Sequence, residues 1–220
     1  MSSDSCAEVP SGTLWLRMIL NLIATESVVR RLLVLSIAFA ATACSDSEGP
    51  AGPEIPVTSS ITVDASAGWA YVDFTGATAA PIAIGTAGES ANWDLGFNAT
   101  SVVANGGANG PGGVLVHCIC KNANATDQQV MAFSAANQLA AFEAVTTAQI
   151  PSTSSAWNAD AFTTAKWYRY NLTGNDHQVW PTFEVYLIQR AGEVYKVQLT
   201  NYYGPGGEPR RISFRYAKLR

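Results

Sequence analysis

The sequence predicts a mostly β protein: a single antiparallel β domain with one or two short helices inserted. Three observations predict it. Apolar residues alternate with polar or small ones in several segments, as where Trp93, Leu95 and Phe97 flank Asp94 and Gly96, which is the period of a half-buried strand. Glycine and other turn formers recur at roughly 8–12 residue intervals, the spacing of short strands joined by tight turns. One stretch alone, between Thr126 and Val145, carries apolar residues at helical spacing. With 48% hydrophobic and 14% charged residues in 220, the chain has ample material for one core, and no internal repeat is evident.

The first segment concerns export rather than folding. Leu32 to Ala43 is an uninterrupted small and apolar run, preceded by Arg30 and Arg31 and closed by Ala41-Thr-Ala-Cys44. This is the pattern of a basic n-region, an apolar h-region and a lipobox-like cleavage site; the run is shorter than the about 20 residues a spanning helix needs. Residues 1–43 are therefore expected to be a signal peptide, and Cys44 the lipidated N-terminus of the mature chain. The alternative is a buried helix that ends in a cysteine. Asp4, Glu8 and Glu26 do not suit an n-region, which points to a true start at Met18 or later and leaves Cys6 outside the exported chain. Residues 44–56 are polar and proline-punctuated and read as a flexible tether, reaching about 40 Å at roughly 3.1 Å per residue. The β domain is expected over residues 57–220.

Within it, Trp93–Phe97 reads as a strand, followed by a loop with Gly106, Gly107, Gly110, Gly112 and Gly113, where the backbone can take positive φ or approach another surface closely. Val114–Ile119, apolar on both faces, reads as a fully covered strand. Thr126 and Gln129 have the spacing of a capping box, and Met131, Ala135, Leu139, Phe142 and Val145 follow at helical spacing, with Ser134 placed to restart a second short helix. Trp167–Leu172 then leads into a loop, Thr173–Pro181, carrying His177 near Trp180. Alternation resumes at Phe183, Val185 and Leu187; the turns Ala191-Gly-Glu193 and Gly204-Pro-Gly-Gly-Glu-Pro209 complete an antiparallel meander ending at Tyr216.

Taken together, Trp69-Ala-Tyr-Val-Asp-Phe-Thr75, Trp93-Asp-Leu-Gly-Phe97, Asn105-Gly-Gly with the glycines to Gly113, Trp167-Tyr-Arg-Tyr170 and Ile212-Ser-Phe-Arg-Tyr216 resemble the HmuY family of haem-binding lipoproteins, over about Ile61 to Tyr216. The resemblance implies an HmuY-like β domain and a surface lipoprotein, anchored to the membrane through its N-terminal lipid, that captures haem for a TonB-dependent outer-membrane receptor. Nucleic acid is not among the expected partners. Family members hold haem through side chains such as paired histidines, and some use methionine. The candidates for the iron here are His117 and His177, with Met131 as a third cofactor-binding residue. Two of them have a plainer reading: His117, between Leu115 and Ile119, suits a hydrogen-bonded core histidine, and Met131 lies on the apolar stripe of its helix. The competing function is a cell-envelope β-domain lipoprotein that binds a glycan or protein partner without haem.

Charge and cysteines complete the reading. From Cys44 to Ala165 ten acids face one base, net −9, whereas from Lys166 onward nine bases face four acids, net +5. A basic C-terminal third suits an anionic ligand such as porphyrin propionates, or simply a solvated sheet face. Cys118 and Cys120 are expected to form a disulfide, since an exported thiol pair tends to oxidise and a local turn brings them within reach. The order His-Cys-x-Cys is not that of covalent haem attachment, and no nearby spacing completes a zinc site. An enzyme is not expected. The chain lacks a Gly-x-Ser-x-Gly elbow, a His-Glu-x-x-His helix and a Lys-Ser/Thr after the glycine loop, and nothing in the spacing pairs Asp94 with Glu184.

Overall fold

The computed structural model describes residues 56–74 and 79–220. The expected signal sequence, Cys44 and the tether up to residue 55 lie outside the described residues. Among the described residues, eleven strands and three short α-helices follow in the order β1 (Ser59–Asp64), β2 (Ala70–Asp73), β3 (Ala80–Ile82), β4 (Leu95–Asn98), β5 (Ser101–Ala104), β6 (Leu115–Cys118), α1 (Asp127–Ala132), α2 (Leu139–Glu143), α3 (Ala161–Thr164), β7 (Tyr168–Tyr170), β8 (Val179–Pro181), β9 (Val185–Arg190), β10 (Glu193–Tyr203) and β11 (Pro209–Lys218). They form a five-stranded sheet ordered β1-β11-β10-β9-β6, a four-stranded sheet ordered β3-β2-β4-β5, and the two-stranded hairpin β7-β8. Every strand pairing is antiparallel.

The two larger sheets face one another across a single apolar core. Val72, Leu95, Phe97, Val102 and Ala104 of the smaller sheet share it with Val116, Ile188, Val197, Leu199, Ile212 and Phe214 of the larger. Phe97 and Phe214 stack between the sheets at 5.6 Å with 14° between their planes, and Phe74 packs against Tyr195, Phe214 and Tyr216. Truncating a buried aromatic of this kind to alanine costs about 3–5 kcal/mol, because neighbours only partly refill the cavity. A second, smaller cluster on the other face of the five-stranded sheet joins Val185, Leu187, Val194 and Ala217 to Phe142 and Val145. This is where α2 docks.

The meander β9-β10-β11 forms as its alternation predicts. Ala191 (φ 48°) and Gly192 (φ 89°) make the first turn in the left-handed region. The helical stretch divides in two. Thr126 and Gln129 form the capping box that opens α1, and Ser134 exchanges reciprocal bonds with Asn137 in the turn before α2. α3 has four residues, too few to show a period in the sequence. The strand expected to be covered on both faces is fully buried on one and half-buried on the other, and it lies at the edge of its sheet, where β6 pairs with β9. Its outer edge is protected at one point, where Val116 and Asn158 exchange backbone bonds of 2.9 and 3.1 Å. Val114 and Val116 are buried, while Leu115 and His117 are half-buried.

Candidate functional site

The glycine loop closes on its own asparagine. Asn105 is fully buried; its amide donates to the carbonyls of Ser90 (2.9 Å) and Trp93 (2.8 Å), and its Oδ1 accepts from Gly112 N–H at 3.0 Å. A Cβ at Gly110 would stand 2.1 Å from Asn105 Oδ1, and one at Gly112 2.6 Å from its amide. Glycine is needed at both positions so that the backbone can wrap the side chain. The loop is thereby an internal clasp.

Beside it, Asp94 is fully buried. It accepts from Phe74 N–H at 2.6 Å and pairs with Arg190 at 3.0 Å, while Arg190 also reaches Asp73 at 2.9 Å. Burial raises the Asp94 carboxyl to about 6, with the Phe74 N–H and the Arg190 guanidinium pulling the other way. Glu184, on the far side of the fold, bonds Asn122 N–H at 3.1 Å, and burial raises its carboxyl too. The two carboxylates keep separate partners. Four of the nine bases of the C-terminal third are likewise paired within the chain: Arg169 with Asp127, Arg190 with Asp73 and Asp94, Arg211 with Asp64, and Lys218 with Glu193. Lys196, buried, donates to the carbonyls of Phe142 (3.0 Å) and Val145 (2.8 Å) at the end of α2, where a cation suits the exposed carbonyls.

The β7-β8 hairpin has the opposite character. Its tip turns through Asn171 (φ 58°), Gly174 (φ 80°) and His177 (φ 50°), and Val179 N–H donates to Tyr203 Oη at 3.0 Å to fasten it to β10. A cleft of about 510 Å³ opens beside it, lined by Tyr168, Tyr170, His177, Val179, Tyr202 and Tyr203 among others. A second, of about 520 Å³, shares Val179 and Tyr203 and is walled by Phe133, Trp180 and Phe183. Both fall in the size range of small-molecule sites. His177 is exposed, and its Nδ1 lies 3.1 Å from Tyr170 Oη.

The other candidate ligands lie elsewhere. His117 stands opposite Leu187 on β9, half-buried beside Trp157, with Nδ1 2.9 Å from the Ala156 carbonyl. A carbonyl only accepts, so Nδ1 carries the proton and the Nε2 lone pair is the one available to bind. His117 lines neither hairpin cleft. Met131 is half-buried on α1 and lines neither of them. Cys118 and Cys120 are joined by a disulfide, Cα to Cα 5.1 Å, with Cys120 at φ 49°. The tyrosines of the cleft were missed as a group because they come from two strands, β7 and β10, more than 30 positions apart in the chain.

A two-sheet antiparallel sandwich whose ligand-sized clefts are walled by aromatic side chains has the form of a binding protein. The chain belongs to the HmuY family: the family described as HmuY protein matches residues 65–216. Among solved structures it is similar to a proposed HmuY-like haem-binding protein of Bacteroides vulgatus (14% identity, TM-score 0.47, 74% of this chain and 92% of that one). It is also similar to a proposed lipoprotein of Bacteroides fragilis (15%, 0.46, 77% and 93%) and to the apo HmuY analogue of Tannerella forsythia (12%, 0.45, 76% and 98%). No curated protein matches the chain.

Proposed function

We propose that the protein is a lipid-anchored envelope protein that captures haem at the β7-β8 hairpin and hands it to a TonB-dependent outer-membrane receptor. One observation carries the siting: an exposed histidine, its Nδ1 already engaged by Tyr170, beside a cleft walled by Tyr168, Tyr202 and Tyr203. Membership of the HmuY family supports haem as the ligand. The residues fit that group in kind. Imidazole nitrogen and phenolate oxygen are both haem-iron ligands, a hydrogen bond at the second ring nitrogen is what orients a ligating histidine, and aromatic walls suit a flat apolar macrocycle. His177 is the proposed iron ligand. His117 and Met131 would contribute only through a second site, since neither lines this cleft. Bound haem would supply the iron; the chain's own side chains would hold its plane and exclude water from one face. Residues 1–43 are proposed as the signal peptide, Cys44 as the lipid attachment point, residues 44–56 as the tether and 57–220 as the folded domain.

A glycan or protein partner without haem is favoured by a different observation. Trp69 is 45% exposed and lies nearly parallel to Tyr71, centroids 6.2 Å apart, a surface of the kind sugars stack on. A haemin titration of the full chain in detergent, followed by Soret absorbance, separates the two. A saturable one-to-one shift that weakens at least about tenfold in His177→Ala and persists in His117→Ala is the expected result. No shift beyond that of a control protein would remove haem and leave the envelope-partner reading.

A further inference from the structure

The corner where β6 leaves its sheet holds three potential metal ligands that the haem reading does not use. Cys118 Sγ, Cys120 Sγ and a carboxylate oxygen of Glu184 all lie within 4.8 Å of one another. Glu184 is separated from the cysteines by more than 60 positions, so no local motif announces the grouping. It is 4% exposed, and Asn122 N–H fixes one of its oxygens at 3.1 Å. Asn122 also ties the Thr182 carbonyl at 2.9 Å, next to Phe183, whose backbone takes φ 54°. A cavity of about 330 Å³ opens here, lined by Cys120 and Glu184 together with Lys166 and Arg169. It shares only Tyr168 with the His177 cleft.

We propose that Cys118, Cys120 and Glu184 form a redox-gated site for a thiophilic divalent cation of the zinc class, closed by the disulfide and opened by its reduction. The gating step is balanced by a dithiol reductant. The Cys118–Cys120 bond takes up two electrons and two protons to give two thiols, and the reductant becomes a disulfide. Metal binding then displaces the two thiol protons. Tetrahedral zinc holds sulfur at about 2.3 Å and carboxylate oxygen at about 2.0–2.2 Å, which sets two such ligands between about 3 and 4 Å apart. The Glu184 oxygen already lies within 4.8 Å of both sulfurs, and reduction frees the bonded pair to part to that spacing. Two thiolates and a carboxylate around a divalent ion leave one net negative charge, and Lys166 and Arg169 line the same cavity to offset it. The cavity leaves room for water as a fourth ligand. Calcium and magnesium, which require about six oxygen ligands, do not suit this set.

The test is a Co²⁺ titration of the full chain in detergent, read by thiolate-to-cobalt charge-transfer absorbance. The oxidised protein should show none. After anaerobic reduction with dithiothreitol and removal of the reductant, one equivalent should bind with that absorbance and be displaced by Zn²⁺. Glu184→Gln, which keeps the shape and the Asn122 bond, should bind about tenfold or more weakly, the scale on which substitutions around metal sites act. Cys118→Ser should abolish the band. His177→Ala should leave cobalt binding unchanged, so the failure of either proposed site is read without the other. No charge-transfer band in the reduced protein, unaltered affinity in Glu184→Gln, or loss of the native near-UV circular dichroism on reduction would each overturn the proposal, because the site needs the fold to bring Glu184 to the pair.

Discussion

The glycine loop after β5 and the β7-β8 hairpin are both polar, turn-rich excursions, yet their polar groups face opposite ways. In the loop, the side chain of Asn105 makes three hydrogen bonds, all to backbone, and is fully buried. In the hairpin, His177 and Tyr170 bond each other at the surface and line a cleft. A side chain whose polar groups are all bonded internally contributes stability rather than contacts to a ligand. The hairpin, fastened to β10 by the bond from Val179 to Tyr203, presents Tyr170 and His177 to the cleft beside it.

Three substitutions sharpen that contrast. Asn105→Ala should be the most costly, about 3 kcal/mol or more. It strands the buried Trp93 carbonyl together with the part-buried Ser90 carbonyl and Gly112 N–H, and each unsatisfied buried group costs about 1–3 kcal/mol; urea unfolding read by tryptophan fluorescence measures it.

Asp94 comes next, through pH. Its carboxyl stands at about 6 in the folded state against 3.8 as the reference, so between these values the folded state holds more protons than the unfolded. The contribution of Asp94 to stability is therefore greatest at and below about pH 4, falls as pH rises to about 6, and levels off above that. The total change is on the order of 2–3 kcal/mol at 1.36 kcal/mol per unit. Asp94→Asn should flatten that slope, seen in thermal unfolding midpoints from pH 4 to 7.

His177→Ala should change stability least, by less than about 0.5 kcal/mol, as for an exposed side chain. A larger loss would show that the hairpin depends on its histidine for folding and would weaken the contrast with Asn105.

Much of this was legible in the residues themselves. The alternation from Phe183 to Tyr216 specified β9, β10 and β11, because strand side chains alternate by geometry alone. Thr126 and Gln129 marked the start of α1, because a capping box is closed within four residues. The HmuY resemblance, read from short aromatic and glycine motifs, agrees with the family match over 65–216. The apolar run of β6 reported burial of its faces, complete at Val114 and Val116 and partial at Leu115 and His117, but not that the strand lies at the edge of its sheet, where Asn158 from a distant segment pairs with it.

What the sequence determined alone were the local properties: strand and turn periodicity, the helix cap, and the nearness of Cys118 to Cys120. These depend on residues a few positions apart, whose geometry the backbone sets. Tertiary structure decided the rest. It closed the glycines around Asn105, gave Asp94 its partner Arg190, gathered tyrosines from β7 and β10 beside His177, placed His117 outside that cleft, and carried Glu184 to the cysteine pair. Each of these joins residues far apart in the chain, and their separation in space depends on how two sheets pack, which no local pattern of side chains encodes.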